Sequence, residues 1–206
     1  MAPGADVAAI IDGWAARGRP LAVPGASTVV WEEGAGAPVV CLHGVPTSAF
    51  LYRNVLPELA ARGLRGIAFD FPGLGLAQRP ERFDYRWSGL GAWTLAALDA
   101  LGLDRFHLVL HDVGGPVGFD VVSRAPDRVA SLTVLNSIVR AATFKRPWAM
   151  EPFARRGIGE LYLRTLRPIA LERLMRAQGV ATAVPAAQLR AYVPLLKRGD
   201  GGRAFL

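Results

Sequence analysis

The sequence predicts an α/β fold in which a mostly parallel sheet is covered by helices and carries a helical lid. Up to about residue 140, short strand patterns alternate with helical patterns, as they do in proteins with parallel sheets. Several of the strands are apolar throughout, which is typical of strands covered on both faces. Beyond residue 140 only helical patterns follow.

Five strands and three helices are predicted in the first part of the chain. The strands lie at 27–34, 38–44, 64–70, 106–111 and 128–138, and the helices lie at 48–63, 88–102 and 115–126. In the first helix Pro57 predicts a kink or a restart, because proline disrupts a helix interior. Gly102 ends the second helix. The Gly- and Pro-rich segment FPGLGLAQRP at 71–80 predicts a loop.

The last third of the chain predicts a lid. Residues 145–179 and 185–199 form amphipathic, Arg-rich helical patterns. Open α/β sheets bind ligands beyond the carboxyl ends of their strands, so we expect these helices to lie over that edge. The predicted organisation is a core at 1–139 and a helical cap at 140–206.

Composition excludes several classes of protein. The 206 residues suffice for one domain, and 51% hydrophobic with 20% charged residues is a globular profile. No run reaches the roughly 20 apolar residues of a bilayer span. Asp6 and Asp12 near the start argue against a signal peptide. The single cysteine, Cys41, lies in an apolar run, which predicts a buried thiol and a cytoplasmic protein.

The net charge of +7 is unevenly distributed along the chain. Residues 1–139 hold 11 Lys/Arg and 13 Asp/Glu, giving −2, whereas residues 140–206 hold 13 and 4, giving +9. These arginines are scattered among Leu and Ala at helical spacing and form no aromatic-interleaved platform. We therefore expect solvated helical faces, with no nucleic-acid or membrane partner.

The segment LVLHDVGGPVG at 108–118 places an acid, Asp112, at the mouth of a buried strand. A charge there is costly, but a helix beginning near Gly115 favours the ionised carboxylate. A sharp strand-to-helix bend can present such a side chain as a nucleophile. The alternative is that Asp112 is the N-cap of the following helix.

A second motif favours the nucleophile. HGVPTS at 43–48 follows an apolar strand, where backbone N–H groups can hold developing negative charge. The segments DFPGLG and HDVGG stand at later strand ends. Together these three strand ends form a more specific pattern than any one of them alone.

These segments resemble the α/β-hydrolase superfamily, in the branch of haloalkane dehalogenases and epoxide hydrolases. The resemblance is carried by HGVPTSAFLYRNVLPELA, RGIAFDFPGLG, LDALGLDRFHLVLHDVGG and PDRVASLTVLN, and it covers residues 20–140 closely. Over the lid, AYVPLLKRGDGG is similar to the dehalogenase segment before the final strands. The resemblance implies a small-molecule substrate, water as co-substrate, and no cofactor or metal.

Carried over by position, the resemblance implies that Asp112 is the nucleophile. The backbone N–H groups of Val45 and Val113 would form the anion site. The supporting turn residues would be His43, Gly44, Pro46 and Gly114. In this branch the carboxylate attacks a carbon that bears a halide or an epoxide oxygen, and a His-activated water then cleaves the ester.

Two departures weaken the dehalogenase reading. Dehalogenases typically have Trp where this chain has Val113, and one subfamily has Asn where it has Val45. Neither valine side chain can donate a hydrogen bond to a halide. Epoxide hydrolases instead protonate the epoxide oxygen from the lid. The candidate lid donors here are Tyr162, Tyr192 and Trp148.

The family's catalytic base, a His beyond the lid, has no counterpart in the chain. The three histidines are His43, His107 and His111, and Asn136 stands where one subfamily has its supporting Glu. Relative to the family, the final strands and helices are missing, so we expect a fragment or a truncated gene product. The strand at 129–136 would then be an unpaired apolar edge.

The leading hypothesis is therefore a haloalkane dehalogenase-like hydrolase in which Asp112 is alkylated and the ester persists. The alternatives are an epoxide hydrolase and a non-catalytic remnant of a hydrolase fold. Carboxylester hydrolysis is disfavoured, because no Ser occupies the bend.

Overall fold

The structure of the chain, a computed structural model, describes residues 3–140, 144–145 and 148–206. Residues 146 and 147 of the predicted 145–179 helical segment lie outside this part. Six strands form one sheet in the order β1-β2-β4-β3-β5-β6. Their bounds are β1 Arg19–Leu21, β2 Thr28–Glu33, β3 Pro38–Leu42, β4 Arg65–Phe69, β5 Phe106–Asp112 and β6 Val129–Ser137.

The sheet is mostly parallel, as predicted. β3 pairs in parallel with both β4 and β5, and β5 pairs in parallel with β6. β1 and β2 are antiparallel to their neighbours. The register opposes Leu42 to Leu110 across β3 and β5. The carboxyl ends of β3, β4 and β5 therefore meet at one edge of the sheet, where the motif residues follow them.

Helices cover both faces of the sheet. They are α1 Pro3–Arg17, α2 Val55–Ala60, α3 Trp87–Ala100, α4 Gly114–Arg124, α5 Ile158–Thr165, α6 Pro168–Ala177, α7 Ala186–Arg190 and α8 Tyr192–Lys197. Short 3-10 segments lie at Ala49–Tyr52, Pro126–Arg128, Trp148–Ala154 and Arg203–Phe205. None of the helices in the described ranges combines the length and apolarity of a membrane span.

Several predicted elements are shorter or more numerous in the structure. The helix predicted at 48–63 is a 3-10 turn followed by α2, and this restart places Pro57 in the first turn of α2, where proline is tolerated. Gly157, with φ +82°, separates the Trp148–Ala154 segment from α5. β1 and α1 were not predicted.

Two apolar clusters lie on opposite faces of the sheet. One joins alternate residues of β3 and β5, such as Leu42 and Leu110, to α3 and α4. The other joins Cys41 and Trp31 to α1, where Trp14 stacks on Trp31 with ring centroids 4.4 Å apart. Cys41 is a buried free thiol, as predicted, and burial raises its pKa to about 12.

The C-terminal helices contribute to both clusters. Leu163 and Leu196 belong to the first cluster, and Leu171 and Leu189 belong to the second. The helices after residue 148 therefore pack on the sheet assembly from both sides. The division into a core at 1–139 and a cap at 140–206 stays a prediction.

Strand β6 is an edge of the sheet formed by the described residues, as predicted. Leu132, Val134 and Leu135 are 39%, 39% and 43% exposed. The strand contains no charged residue or proline, the usual protections of an edge.

Candidate active site

Asp112 lies on a strained bend between β5 and α4. It has φ 52°, and among the described non-glycine residues only Asn136, with φ 41°, is also positive. Left-handed backbone costs roughly 1–2 kcal/mol in an L-residue other than glycine, although Asp tolerates it better than most. Helix α4 begins two residues later, at Gly114. At this bend the Asp112 side chain no longer follows the alternation of β5 side chains between the two faces of the sheet.

Small residues let this bend pack against its neighbours. A Cβ on Gly114 would lie 2.4 Å from the Leu42 carbonyl oxygen, and one on Gly115 would lie 1.7 Å from Ser137 Oγ. A Cβ on Gly44 would lie 2.3 Å from Asp112 Oδ1. Glycine at these three positions is what allows the HGVP turn, α4 and the bend to approach one another.

The Asp112 carboxylate is bound by the first motif turn. Val45 N–H donates to Asp112 Oδ1 over 2.9 Å. The N-cap position of α4 is occupied by Val113, which makes no side-chain capping bond. The alternative in which Asp112 caps α4 is therefore wrong. Within the part of the chain that the structure describes, no hydrogen bond joins Val113 N–H to the carboxylate.

Ser137 supports the bend from β6. Its hydroxyl donates to the Asp112 carbonyl oxygen over 2.7 Å. The two residues are register partners across β5 and β6, next to an irregularity between His111 and Asp112. Ser137 was not among the predicted site residues, because its only signal in the sequence is a hydroxyl residue at the carboxyl end of the neighbouring strand.

His43 organises the turn that carries Val45. Its Nε2 accepts from Phe71 N–H over 3.1 Å, so the proton is on Nδ1, which donates to the Gly44 carbonyl over 2.9 Å. The ring is completely buried, and burial lowers the pKa of His43 to about 4. The imidazole is therefore neutral at physiological pH and acts through these two hydrogen bonds.

Asp70, which was not among the predicted site residues, connects the segment that follows the HGVPTS turn to the loop after β4. Its carboxylate accepts from Ala49 N–H over 2.7 Å and from Leu76 N–H over 2.6 Å. Burial raises the pKa of Asp70 to about 7, against the opposing effect of the two backbone donors. The side chain is fully buried.

A family model described as the α/β-hydrolase fold matches residues 37–193. The chain belongs to the α/β-hydrolase fold family. The matched range runs from β3 to α8, so it includes the HGVP turn and the Asp112 bend.

Relatives of this hydrolase-fold chain include two haloalkane dehalogenases. The one from Psychrobacter cryohalolentis is 39% identical over 103 residues, which cover 50% of this chain and 34% of the relative. The one from Mycobacterium marinum is 31% identical over 173 residues, which cover 82% of this chain and 56% of the relative. The chain thus spans about a third to just over half the length of these two relatives.

Solved structures of the family superimpose on the chain. A haloalkane dehalogenase from Agrobacterium tumefaciens has a TM-score of 0.71 at 27% identity and covers 86% of this chain, which spans 62% of it. An epoxide hydrolase from Vigna radiata has a TM-score of 0.76 at 22% identity. The match covers 91% of this chain and 70% of the epoxide hydrolase. The second likeness shows the fold alone.

The predicted lid donors of this hydrolase-fold chain differ in their surroundings. Trp148 is 80% exposed, and Tyr162, which is also exposed, packs edge-on against Phe153. Tyr192 is buried, and its hydroxyl lies 3.4 Å from an Arg53 N–H that donates to it. Among the described residues, none of the three is hydrogen-bonded to Asp112.

Within the described ranges, neither of the remaining histidines is hydrogen-bonded to the Asp112 carboxylate. His107 Nδ1 lies 2.7 Å from Ser131 Oγ. His111 Nδ1 is buried with no partner among the described residues. Burial lowers the pKa of this ring, and the charge of Asp112 opposes that shift.

Two open cavities lie away from Asp112. One, of about 410 Å³, is bounded by residues 77–81 and 198–203, and one of about 500 Å³ lies at the amino ends of β3 and β5.

Proposed function

We propose that this chain is a haloalkane dehalogenase-like hydrolase whose Asp112 carboxylate attacks a small apolar alkyl halide. The observation that carries the proposal is the asymmetry of that carboxylate. Oδ1 is held by Val45 N–H, whereas Oδ2 has no hydrogen bond among the described residues. A carboxylate fixed through one oxygen presents the other to a substrate at low reorganisation cost.

In the proposed step, Oδ2 forms a bond to an sp³ carbon and the carbon–halogen bond breaks with its electron pair on the halide. Oδ1 becomes the carbonyl oxygen of the alkyl–aspartyl ester. Attack of water on the carboxyl carbon would return negative charge to Oδ1, where Val45 N–H already donates. The turn that carries Val45 thus favours hydrolysis of the ester as well as the initial attack on the alkyl halide.

An alkyl halide fits the described site better than an epoxide. A halide leaves as an anion and needs no proton, whereas an epoxide oxygen needs one. Among the described residues, none of Tyr162, Tyr192 and Trp148 is hydrogen-bonded to Asp112, and the buried Tyr192 hydroxyl accepts from Arg53. Epoxide hydrolysis, which the fold neighbours also include, is the second candidate.

We further propose that the ester persists in this chain. Activation of water at the ester requires a base within hydrogen-bond reach. His43 uses both ring nitrogens in the turn, and His107 is paired with Ser131. Burial lowers the pKa of His111, which makes that ring a weaker base. In the proposed architecture, the helices at 148–206 act as a cap over the carboxyl edge, with Leu163 and Leu196 sharing a cluster with the Val45 and Val113 side chains.

Intact-mass measurement after exposure to butyl bromide and to butylene oxide tests the proposal. We expect a single butyl adduct, mapped to Asp112, with bromide released in equal amount. The matched variant Asp112→Asn should show no adduct and keep its thermal unfolding midpoint, because Asn also tolerates positive φ.

Each other outcome has a definite meaning. Continuous bromide release without an adduct would contradict the persistent ester. An adduct with butylene oxide alone would favour the epoxide candidate, and no adduct with either reagent would favour a non-catalytic hydrolase-fold protein.

A further inference from the structure

Arg79 joins the loop after β4 to the C-terminal helices. Its guanidinium donates to the carbonyl oxygens of Gly73 and Gly75 in the loop, the second over 3.1 Å. It also donates to Leu195 and Leu196 of α8 over 2.8 and 3.1 Å. One cationic side chain therefore holds four carbonyl oxygens from two parts of the chain that are more than 100 residues apart.

Asp200 completes this contact. Its Oδ1 lies 3.2 Å from Arg79, and the two side chains are only 7% and 11% exposed. The same carboxylate accepts from Gly202 N–H and Ala204 N–H, each over 2.8 Å. Asp200 thus fixes the residues after α8 against the guanidinium. We call Arg79 and Asp200 together the seam pair.

The seam pair differs from an ordinary surface ion pair beside it. Arg203 and Glu81 line the same cavity of about 410 Å³. They are 3.7 Å apart and are 52% and 84% exposed. Exposed pairs of this kind contribute little, whereas loss of a buried guanidinium leaves its carbonyl partners without donors. Arg203 is therefore a natural control for Arg79.

The loop held by Arg79 is also joined to the segment that follows the HGVPTS turn. Leu76, one residue beyond Gly75, donates its N–H to Asp70, which also accepts from Ala49 N–H directly after that turn. On the other side of Arg79, Leu196 of α8 packs in the same apolar cluster as Val45. Asp70 thus holds the segment that follows the turn, and Arg79 holds α8 against the loop.

We propose that Arg79 is a positioning residue that fixes the C-terminal helices over Asp112 and so sets how tightly an apolar electrophile is bound before it reacts. The inference rests on the proposed function, because it concerns the same site. The seam pair acts on binding of the electrophile, whereas Asp112 and Val45 act in the chemical step.

The test compares Arg79→Gln with Arg203→Gln, which remove the same charge beside the same cavity. The rate of Asp112 alkylation is measured by intact mass over a range of butyl bromide concentrations. For Arg79→Gln we expect the half-saturating concentration to rise about tenfold and the limiting rate to stay within about twofold of wild type. Arg203→Gln should change neither, and Arg79→Lys, which keeps the charge and some donors, should fall between.

Amide hydrogen exchange on the same proteins provides a readout that needs no activity. Arg79→Gln should speed exchange at 73–76 and at 192–206 while leaving β5 protected, and Arg203→Gln should not. Equal half-saturating concentrations for the two Gln variants, or a fall in limiting rate alone, would overturn the positioning role. If wild type is never alkylated, the proposed function itself fails, which is a different result.

Discussion

Two aspartates stand at the same edge of the sheet and have opposite surroundings. Asp70 follows β4 and Asp112 ends β5, on either side of β3. Asp70 is completely buried and receives one backbone N–H on each oxygen. Asp112 is partly exposed, has φ 52°, and receives Val45 N–H on Oδ1 only. Of these two carboxylates, Asp70 thus has a hydrogen-bond donor on each oxygen, and Asp112 has one on Oδ1 only.

The difference indicates what separates a structural acid from a reactive one. A carboxylate whose oxygens are both occupied by fixed donors stabilises the loops that provide them. A carboxylate held through one oxygen on a strained bend keeps its other oxygen available, and strain of this kind concentrates at functional sites. We therefore expect changes at Asp70 to act on folding and changes around Asp112 to act on alkylation.

The largest effect is expected from Asp70→Asn. An amide can accept from only one of the two N–H groups, and its own NH2 would face the other, so a buried donor would be left without a partner. We expect the free energy of unfolding to fall by about 3 kcal/mol. Urea denaturation measures it. Asp84→Asn, at an exposed aspartate paired with Arg86, is the control and should leave the urea midpoint nearly unchanged.

The pH dependence of stability sharpens the same prediction. The pKa of Asp70 is raised to about 7, so its contribution to stability is present at low pH and is lost as the pH rises from about 4 to about 7. The pKa of His43 is lowered to about 4, so its contribution is lost as the pH falls from about 6.5 to about 4. Between about pH 4 and 6.5, the contributions of Asp70 and His43 to stability therefore change in opposite directions.

Asp70→Asn should unmask the histidine. As the pH rises from about 4 to 6.5, the variant should gain more stability than wild type, because Asp70 no longer opposes the histidine trend. Urea midpoints at several pH values provide the measurement. Parallel pH profiles for the two proteins would show that Asp70 does not titrate in this range.

A smaller effect, on alkylation at Asp112, is expected from Gly44→Ala. The added Cβ would lie 2.3 Å from Asp112 Oδ1, so the turn and the carboxylate must separate and the bond from Val45 N–H is lost. Loss of one such donor typically costs about a hundredfold in rate, or about 2.7 kcal/mol. Alkylation by butyl bromide measures it, and Gly13→Ala in α1, where nothing lies within 4 Å, is the control. Unchanged alkylation would show that Val45 N–H does not assist the reaction.

Much of the fold follows from local patterns. All five predicted strands are present, because each is a run of apolar residues that ends at a turn signal. β1 has three residues, two of them exposed, so it is too short for a periodic pattern. The signal for α1 does exist in Val7, Ile10, Ile11 and Trp14, which recur at helical spacing and are buried or half-buried.

The site was predictable only where its residues belong to motifs. The motifs identified the HGVP turn and Asp112, and the structure brings them within hydrogen-bond distance. Asp70, Arg79 and Ser137 acquire their partners through tertiary packing, which a pattern of neighbours in sequence does not encode. For the same reason Tyr192, a candidate donor by position, lies against Phe50 and Arg53 instead.

The smallest effect is expected from Ser137→Ala, which tests whether the bend at Asp112 needs support from outside its own loop. The change removes the hydroxyl that donates to the Asp112 carbonyl and leaves the carboxylate with Val45 N–H. One neutral hydrogen bond is worth about 1 kcal/mol, so alkylation should slow by about fivefold if the bond acts fully on the reacting geometry. Ser131→Ala, which removes a hydroxyl from the same strand beside His107, is the control and should leave the rate unchanged. If both variants react like wild type, the Ser137 hydroxyl does not support the reacting geometry of Asp112.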